Sequence, residues 1–110
     1  MKTSKRAHLK ARGWRVGSAE EFLKLTAEEV AFIETKLALS DSVRERRLAQ
    51  KMSQTVLAKR LKSSQSRVAK MEAGDSTVSI DLLLWTLFTL GATPRDVAKV
   101  IQKGPRAGAV

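Results

Sequence analysis

The sequence predicts an all-α domain of five to seven short helices. Three observations lead there. Apolar residues recur at three- and four-residue spacing along most of the chain. Ser or Thr stands repeatedly just before such a stretch, often with an acid three residues later, which is how helices begin. With 2 Pro, 6 Gly and no Tyr among 110 residues, the composition argues against an all-β domain full of tight turns.

Residues 1–12 are polar, basic and aperiodic and are expected as a flexible tail. Trp14 and Val16, between Gly13 and Gly17, read as a short extended piece whose indole docks on the domain. Ser18 with Glu21 forms a capping box that opens a short helix carrying Phe22 and Leu23. Thr26 and Glu29 repeat the device, and Val30, Ile33 and Leu37 then share one helical face. Ser40-Asp41-Ser42 can cap a new helix. Without Pro or Gly there, one long helix from about Ala27 to Met52 fits equally well. Two short helices follow. Gln54 to Leu61 turns Leu57, Ala58 and Leu61 inward, and Gln65 to Ala73 does the same with Val68 and Met71. Lys62-Ser63-Ser64 joins them, and Gly74 stands where a left-handed cap belongs. Ser79 caps an apolar helix to Leu90, stopped by Gly91. Thr93, Pro94 and Asp96 open a last helix ending near Gln102. The expected organisation is a basic tail (1–12), a helical extension (13–40), a main domain (41–103) and a loose tail (104–110).

The net charge of +10 is unevenly placed. Residues 1–17 hold six basic residues and no acid, and residues 18–42 hold two basic and six acidic. Residues 43–75 hold nine basic and three acidic, and residues 76–110 hold four and two. The basic middle lies in a patterned, foldable stretch, so it is the expected surface for a polyanion. With no Cys and one His, disulfides, thiol chemistry and Cys- or His-based metal sites have no residues to build them. His8 lies in the tail. The serines sit at caps and turns without a base beside them, so no catalytic residue, metal or cofactor is expected. The most apolar run, Leu82 to Ala92, is too short to cross a bilayer. No signal segment is evident, and a cytoplasmic location is expected.

The informative stretch is SQTVLAKRLKSSQSRVAKMEAGD, Ser53 to Asp75. Two short helices joined by a three-residue turn cross steeply, so their first contact must be small, and Ala58 supplies it against Val68. With Val68 and Met71 facing inward, the second helix presents Gln65, Ser66, Arg67 and Lys70 outward. Gln suits adenine, Arg or Lys guanine, and Ser a base edge or phosphate. Gln54 opens the first helix, where its amide and the free backbone N–H groups suit a phosphate. Ser64, Lys59 and Lys62 are further phosphate candidates. Arg44, Arg46, Lys51, Lys59 and Arg60 read most simply as a solvated basic face, and otherwise as a face from which about two residues touch phosphate.

From about Leu48 to Leu90 the chain resembles the Xre (phage repressor and Cro-like) helix-turn-helix family. Gln54, Leu57, Ala58, Leu61, Gln65, Val68, Met71, Glu72, Gly74 and SIDLLLWTLFTLGA carry the likeness. Residues 13–97 also resemble small HigA-like antitoxins with an N-terminal extension. The resemblance implies a lambda-repressor-like fold and DNA contacts from Gln54, Gln65, Ser66, Arg67 and Lys70. It also implies a structural ion pair between Arg47 and Glu72. One departure is Lys62, where the family's turn usually has Gly. A left-handed Lys costs about 1 kcal/mol relative to Gly.

The implied function is a repressor of its own promoter that acts as a homodimer on a palindromic double-stranded operator. Trp85 and Phe88 share a face, read first as core and otherwise as a dimer seam. The antitoxin likeness implies a small basic RelE-like toxin as partner. Glu20, Glu21, Glu28, Glu29 and Glu34 are its candidate contacts, although first-turn acids also serve the helix dipole. A stand-alone phage-type or metabolic regulator is the alternative.

Overall fold

The computed structural model describes residues 24–106. Trp14, Val16, His8, Glu20, Glu21, the basic tail and the capping box at Ser18 lie outside the described residues. Five α-helices and no strand are found among those described: α1 (Ala27–Ala49), α2 (Gln54–Arg60), α3 (Gln65–Ala73), α4 (Ile80–Thr89) and α5 (Pro94–Lys103).

Each helix starts on a side-chain cap. Thr26 Oγ1 accepts from the Glu29 N–H at 3.1 Å, and the Thr26 N–H donates to Glu29 Oε1 at 2.9 Å. Thr93 and Asp96 make the same reciprocal pair, with Pro94 at the first helical position. These bonds hold both the Glu29 and Asp96 carboxyls below their ordinary pKa values. Ser53, Ser64 and Ser79 cap α2, α3 and α4. Every orphan N–H satisfied this way fixes where a helix begins, so the element boundaries follow from local chemistry.

α1 runs through Ser40-Asp41-Ser42 without a break. Both serines are buried there and pack as small residues. The expected junction at 40/41 therefore falls inside a continuous helix. Lys36, Leu37, Ala38, Leu39 and Ser40 are all buried, so α1 is enclosed on every side at its middle. One face of its first half contributes Val30, Ile33 and Leu37 to a cluster with Leu25. A different face of its second half gives Leu39 and Val43 to the main core. Leu57, Ala58, Val68, Met71, Val78, Leu83, Leu87, Leu90, Ala92 and Val97 complete that core. The amine of Lys36 donates to the Ser76 carbonyl at 3.1 Å and lies 5.6 Å from the Phe32 ring. Burial pulls its pKa below the ordinary lysine value, and the Asp75 carboxylate opposes this.

α4 packs against α1, and its Leu83, Thr86 and Leu87 are buried. The buried Thr86 hydroxyl donates to the Leu82 carbonyl at 2.8 Å. Trp85 and Phe88, expected first in the core, are instead 67% and 44% exposed. Leu83, Leu87 and Leu90 already occupy the inward stripe, so positions 85 and 88 rotate out. Residues 104–106, expected within the loose tail, run back to α1. The Arg106 N–H donates to Asp41 Oδ2 at 2.9 Å, and the guanidinium lies 3.7 Å from the same carboxylate, which brings this segment back to α1.

Gly74 ends α3 at φ 74°, and a Cβ there would lie 2.5 Å from Leu37 Cδ2. Leu37 is itself 1% exposed and has no room to yield. Gly74→Ala should therefore destabilise by about 2–4 kcal/mol, combining backbone strain with overpacking. Gly91→Ala should cost only about 1 kcal/mol, because its backbone is left-handed but nothing lies within 4 Å of the added carbon. Urea unfolding midpoints at constant m-value will separate the two.

Candidate nucleic-acid interface

α2 and α3 are short helices in direct contact, joined by Leu61 to Ser64. Leu57 and Ala58 of α2 and Val68 and Met71 of α3 are buried between them and the rest of the core. Leu61 is half-buried. The turn closes with the Ser63 N–H donating to the Ala58 carbonyl at 2.9 Å and the Lys62 N–H to the Lys59 carbonyl at 3.1 Å. This pattern requires a left-handed residue, and Lys62 takes it at φ 54°.

A hydrogen-bonded chain of four side chains fixes the orientation of α3. Arg47 Nε donates to Glu72 Oε2 at 2.6 Å and Arg47 Nη2 to Glu72 Oε1 at 2.9 Å. Arg47 Nη1 donates to the Met52 carbonyl at 2.8 Å. Both charged residues are 8% exposed. The hydrogen bonds to Glu72 raise the Arg47 pKa, against the opposing effect of burial. Gln54 Nε2 donates to Glu72 Oε1 at 3.1 Å, and Gln65 Nε2 donates to Gln54 Oε1 at 2.6 Å.

The amide orientations follow from chemistry. An ionised carboxylate only accepts, so Gln54 must aim its nitrogen at Glu72 and its oxygen at Gln65. Gln65 then spends one N–H on Gln54. It keeps its other N–H and its carbonyl oxygen for a ligand.

Gln65, Ser66, Arg67 and Lys70 are exposed on α3, and Lys59 and Lys62 are exposed on α2 and the turn. Ser64 Oγ accepts from the Arg67 N–H at 3.2 Å and meets Ser66 Oγ at 3.2 Å. Gln54 is half-buried and hydrogen-bonded at both ends of its amide, which leaves its nitrogen one further N–H. The Gln54–Gln65 link escaped sequence reasoning, although the two residues open consecutive helices of a motif whose helices had to cross. Lys51 also takes a left-handed backbone, at φ 55°, with no local sequence signal.

The remaining candidates lie elsewhere. Glu28 and Glu29 are exposed in the first turn of α1, at the end opposite Arg47, and Glu34 is half-buried one turn beyond them. Two open grooves, of about 190 and 320 Å³, lie between α1 and the end of α5 and include no residue of α2 or α3. Among the described residues, no group of three His, Cys, Asp or Glu could hold a metal ion. No helix there is long and apolar enough to cross a membrane.

Residues 43–84 match the family model described as helix-turn-helix. The match begins in the second half of α1 and ends in α4, so it contains the Arg47–Glu72 tie, α2, the turn and α3. No curated protein and no solved structure matches the chain.

Glu72→Ala should destabilise the fold by about 3–5 kcal/mol, because it leaves the Arg47 charge buried without its partner. Gln54→Ala should cost only about 1 kcal/mol, the net worth of its hydrogen bonds. Denaturant titrations of the two variants will check the ranking.

Proposed function

We propose that this protein is a sequence-specific DNA-binding transcriptional regulator of the Xre type, and a repressor that binds an operator in its own promoter. The observation that carries this is the chain from Arg47 through Glu72 and Gln54 to Gln65. It presents one N–H and one carbonyl oxygen of Gln65 at the exposed start of α3, the pair of groups that fits adenine N7 and N6 in the major groove. Arg67 stands two residues on, exposed and suited to guanine O6 and N7. Ser64, Ser66, Lys59, Lys62 and Lys70 hold the register through phosphates, which carry affinity but no sequence information. Gln54 acts by positioning Gln65. In this reading the protein catalyses nothing and works in the cytoplasm, on the nucleoid.

A single helix-turn-helix reads only a few base pairs. The exposed Trp85–Phe88 face of α4 carries no basic residue, so two strongly cationic chains can meet there with little repulsion. A two-fold dimer through this face would read a palindrome whose half-sites lie about 34–36 Å apart.

A second reading rests on α1. Glu28 and Phe32, one turn apart, are both exposed in the acidic segment, and an aromatic beside a carboxylate suits a basic protein partner. This favours an antitoxin that also holds a RelE-like toxin. Co-expression with the product of a neighbouring short basic reading frame should give a complex that Glu28→Lys and Phe32→Ser disrupt. Absence of a complex would leave the regulator without a toxin.

Selection from random duplex DNA at stated salt tests the main reading. A palindrome enriched over background is the expected result, and no enrichment refutes the reading. On the selected site, Arg67→Ala should cost about 1–3 kcal/mol and relax choice at one base position. Lys59→Ala should weaken all sequences alike and lower the salt slope by about 0.9.

A further inference from the structure

The four helices that lead into another helix all close on the same backbone motif. In each, two consecutive N–H groups fold back onto carbonyls of the last turn. After α1 these are Lys51 to Leu48 and Met52 to Arg47. After α2 they are Lys62 to Lys59 and Ser63 to Ala58. After α3 they are Gly74 to Met71 and Asp75 to Lys70, and after α4 Gly91 to Phe88 and Ala92 to Leu87. The first residue of each pair is left-handed, with φ of 55°, 54°, 74° and 94°. Glycine is favoured at this position because a Cβ strains it. Two of the four are glycine here, and two are lysine.

Both lysines are exposed. Among the described residues neither ammonium group has an ion pair or a side-chain hydrogen bond. Each therefore strains the backbone without a compensating contact inside the fold. Their placement is selective: they stand at the two ends of α2, whereas the glycines follow α3 and α4.

We infer that Lys51 and Lys62 are held in a strained backbone for their charge, as a pair of phosphate contacts that grip a nucleic-acid backbone at both ends of α2. This rests on the DNA-binding reading and adds Lys51 and the pairing to it. An ammonium group is a compact point charge that suits a phosphate oxygen from many directions. One contact would leave α2 free to pivot on the duplex. Two contacts, one before and one after a helix about 10 Å long, fix its direction as well, and with it the angle at which α3 meets the bases.

The test compares wild type with Lys51→Gly, Lys62→Gly, the double variant, and Lys51→Arg with Lys62→Arg. Lys103→Ala, on α5 outside the helix-turn-helix, is the control. Thermal midpoints are measured, together with affinity for a mixed-sequence duplex from about 50 to 200 mM salt. Each glycine variant should melt higher, by roughly 4–8 °C. Each should also bind more weakly, with the slope of log affinity against log salt reduced by about 0.9 per lysine. The arginine variants should keep the wild-type slope and midpoint, and Lys103→Ala should keep the slope. Glycine variants that retain wild-type slope, or that melt lower, would overturn the inference. So would a control that loses as much slope as they do. A wild type that binds no duplex would defeat the DNA-binding reading as well. Wild-type binding with unaltered variants sinks this inference alone.

Discussion

The forked bond from Arg47 to Glu72 is the constraint on which the rest of the site depends. α2 and α3 have seven and nine residues, too few to be stable as isolated helices. Their directions are set by what holds them. Arg47 stands in the last turn of α1, Glu72 in the last turn of α3, and the third nitrogen of the guanidinium takes the carbonyl of the α1–α2 link. One side chain therefore registers three segments against each other. A buried ion pair is weak evidence for stability, because desolvating two charges offsets most of their attraction. What it supplies here is geometry. Apolar residues at 47 and 72 could fill the same space, but they could not orient Gln54, and Gln54 could not then orient Gln65.

The pair needs a rigid base, and α1 provides it. Because α1 is unbroken and enclosed at its middle, its last turn cannot shift without disturbing Leu37 and Gly74 on one side and Leu39 and Val43 on the other. α4 and α5 brace the same helix. Gln50 Nε2 donates to the Leu90 carbonyl at 2.7 Å, and Arg46 lies 3.5 Å from Asp96. The exposed residues of α3 thus stand on a backbone fixed by the core, and Gln65 among them is oriented by Gln54.

Much of this was legible in the sequence because it is local. A cap, a proline at the first helical position and a glycine after the last turn act within a few residues, so Thr26, Ser79, Thr93, Pro94 and Gly74 announced their roles. The inward stripe of α3 was legible for the same reason. Other features depend on what lies across space. Ser40 and Ser42 are good capping residues in isolation, yet a helix that buries both faces there can use them as small packing groups. Trp85 is apolar, but whether it faces in or out depends on which stripe of α4 meets α1. Gln54 reads only as a phosphate ligand in sequence, and nothing local shows that Glu72, from a helix eighteen residues on, takes one of its two side-chain N–H groups. Lys51 follows no composition rule, because its backbone angle is imposed by the way α1 must stop for Met52 to reach back to Arg47.

The same helix also gives the uneven charge its meaning. α1 places Glu28 and Glu29 in its first turn and Arg46 and Arg47 in its last, so each end complements the helix dipole. Twenty-three residues of α-helix span about 35 Å, whereas charges at physiological salt are screened over about 8 Å. The acidic end and the basic end therefore do not sense each other through solvent. A basic protein drawn to Glu28 would not compete for the cations around α3, and DNA on α3 would not repel the acids at the far end. Any communication between the two must pass through the body of α1. A continuous helix clamped at its centre transmits displacement poorly, since moving either end requires repacking the core at Leu37 to Leu39. The acidic and the basic end of α1 are thus two separate surfaces of one continuous helix.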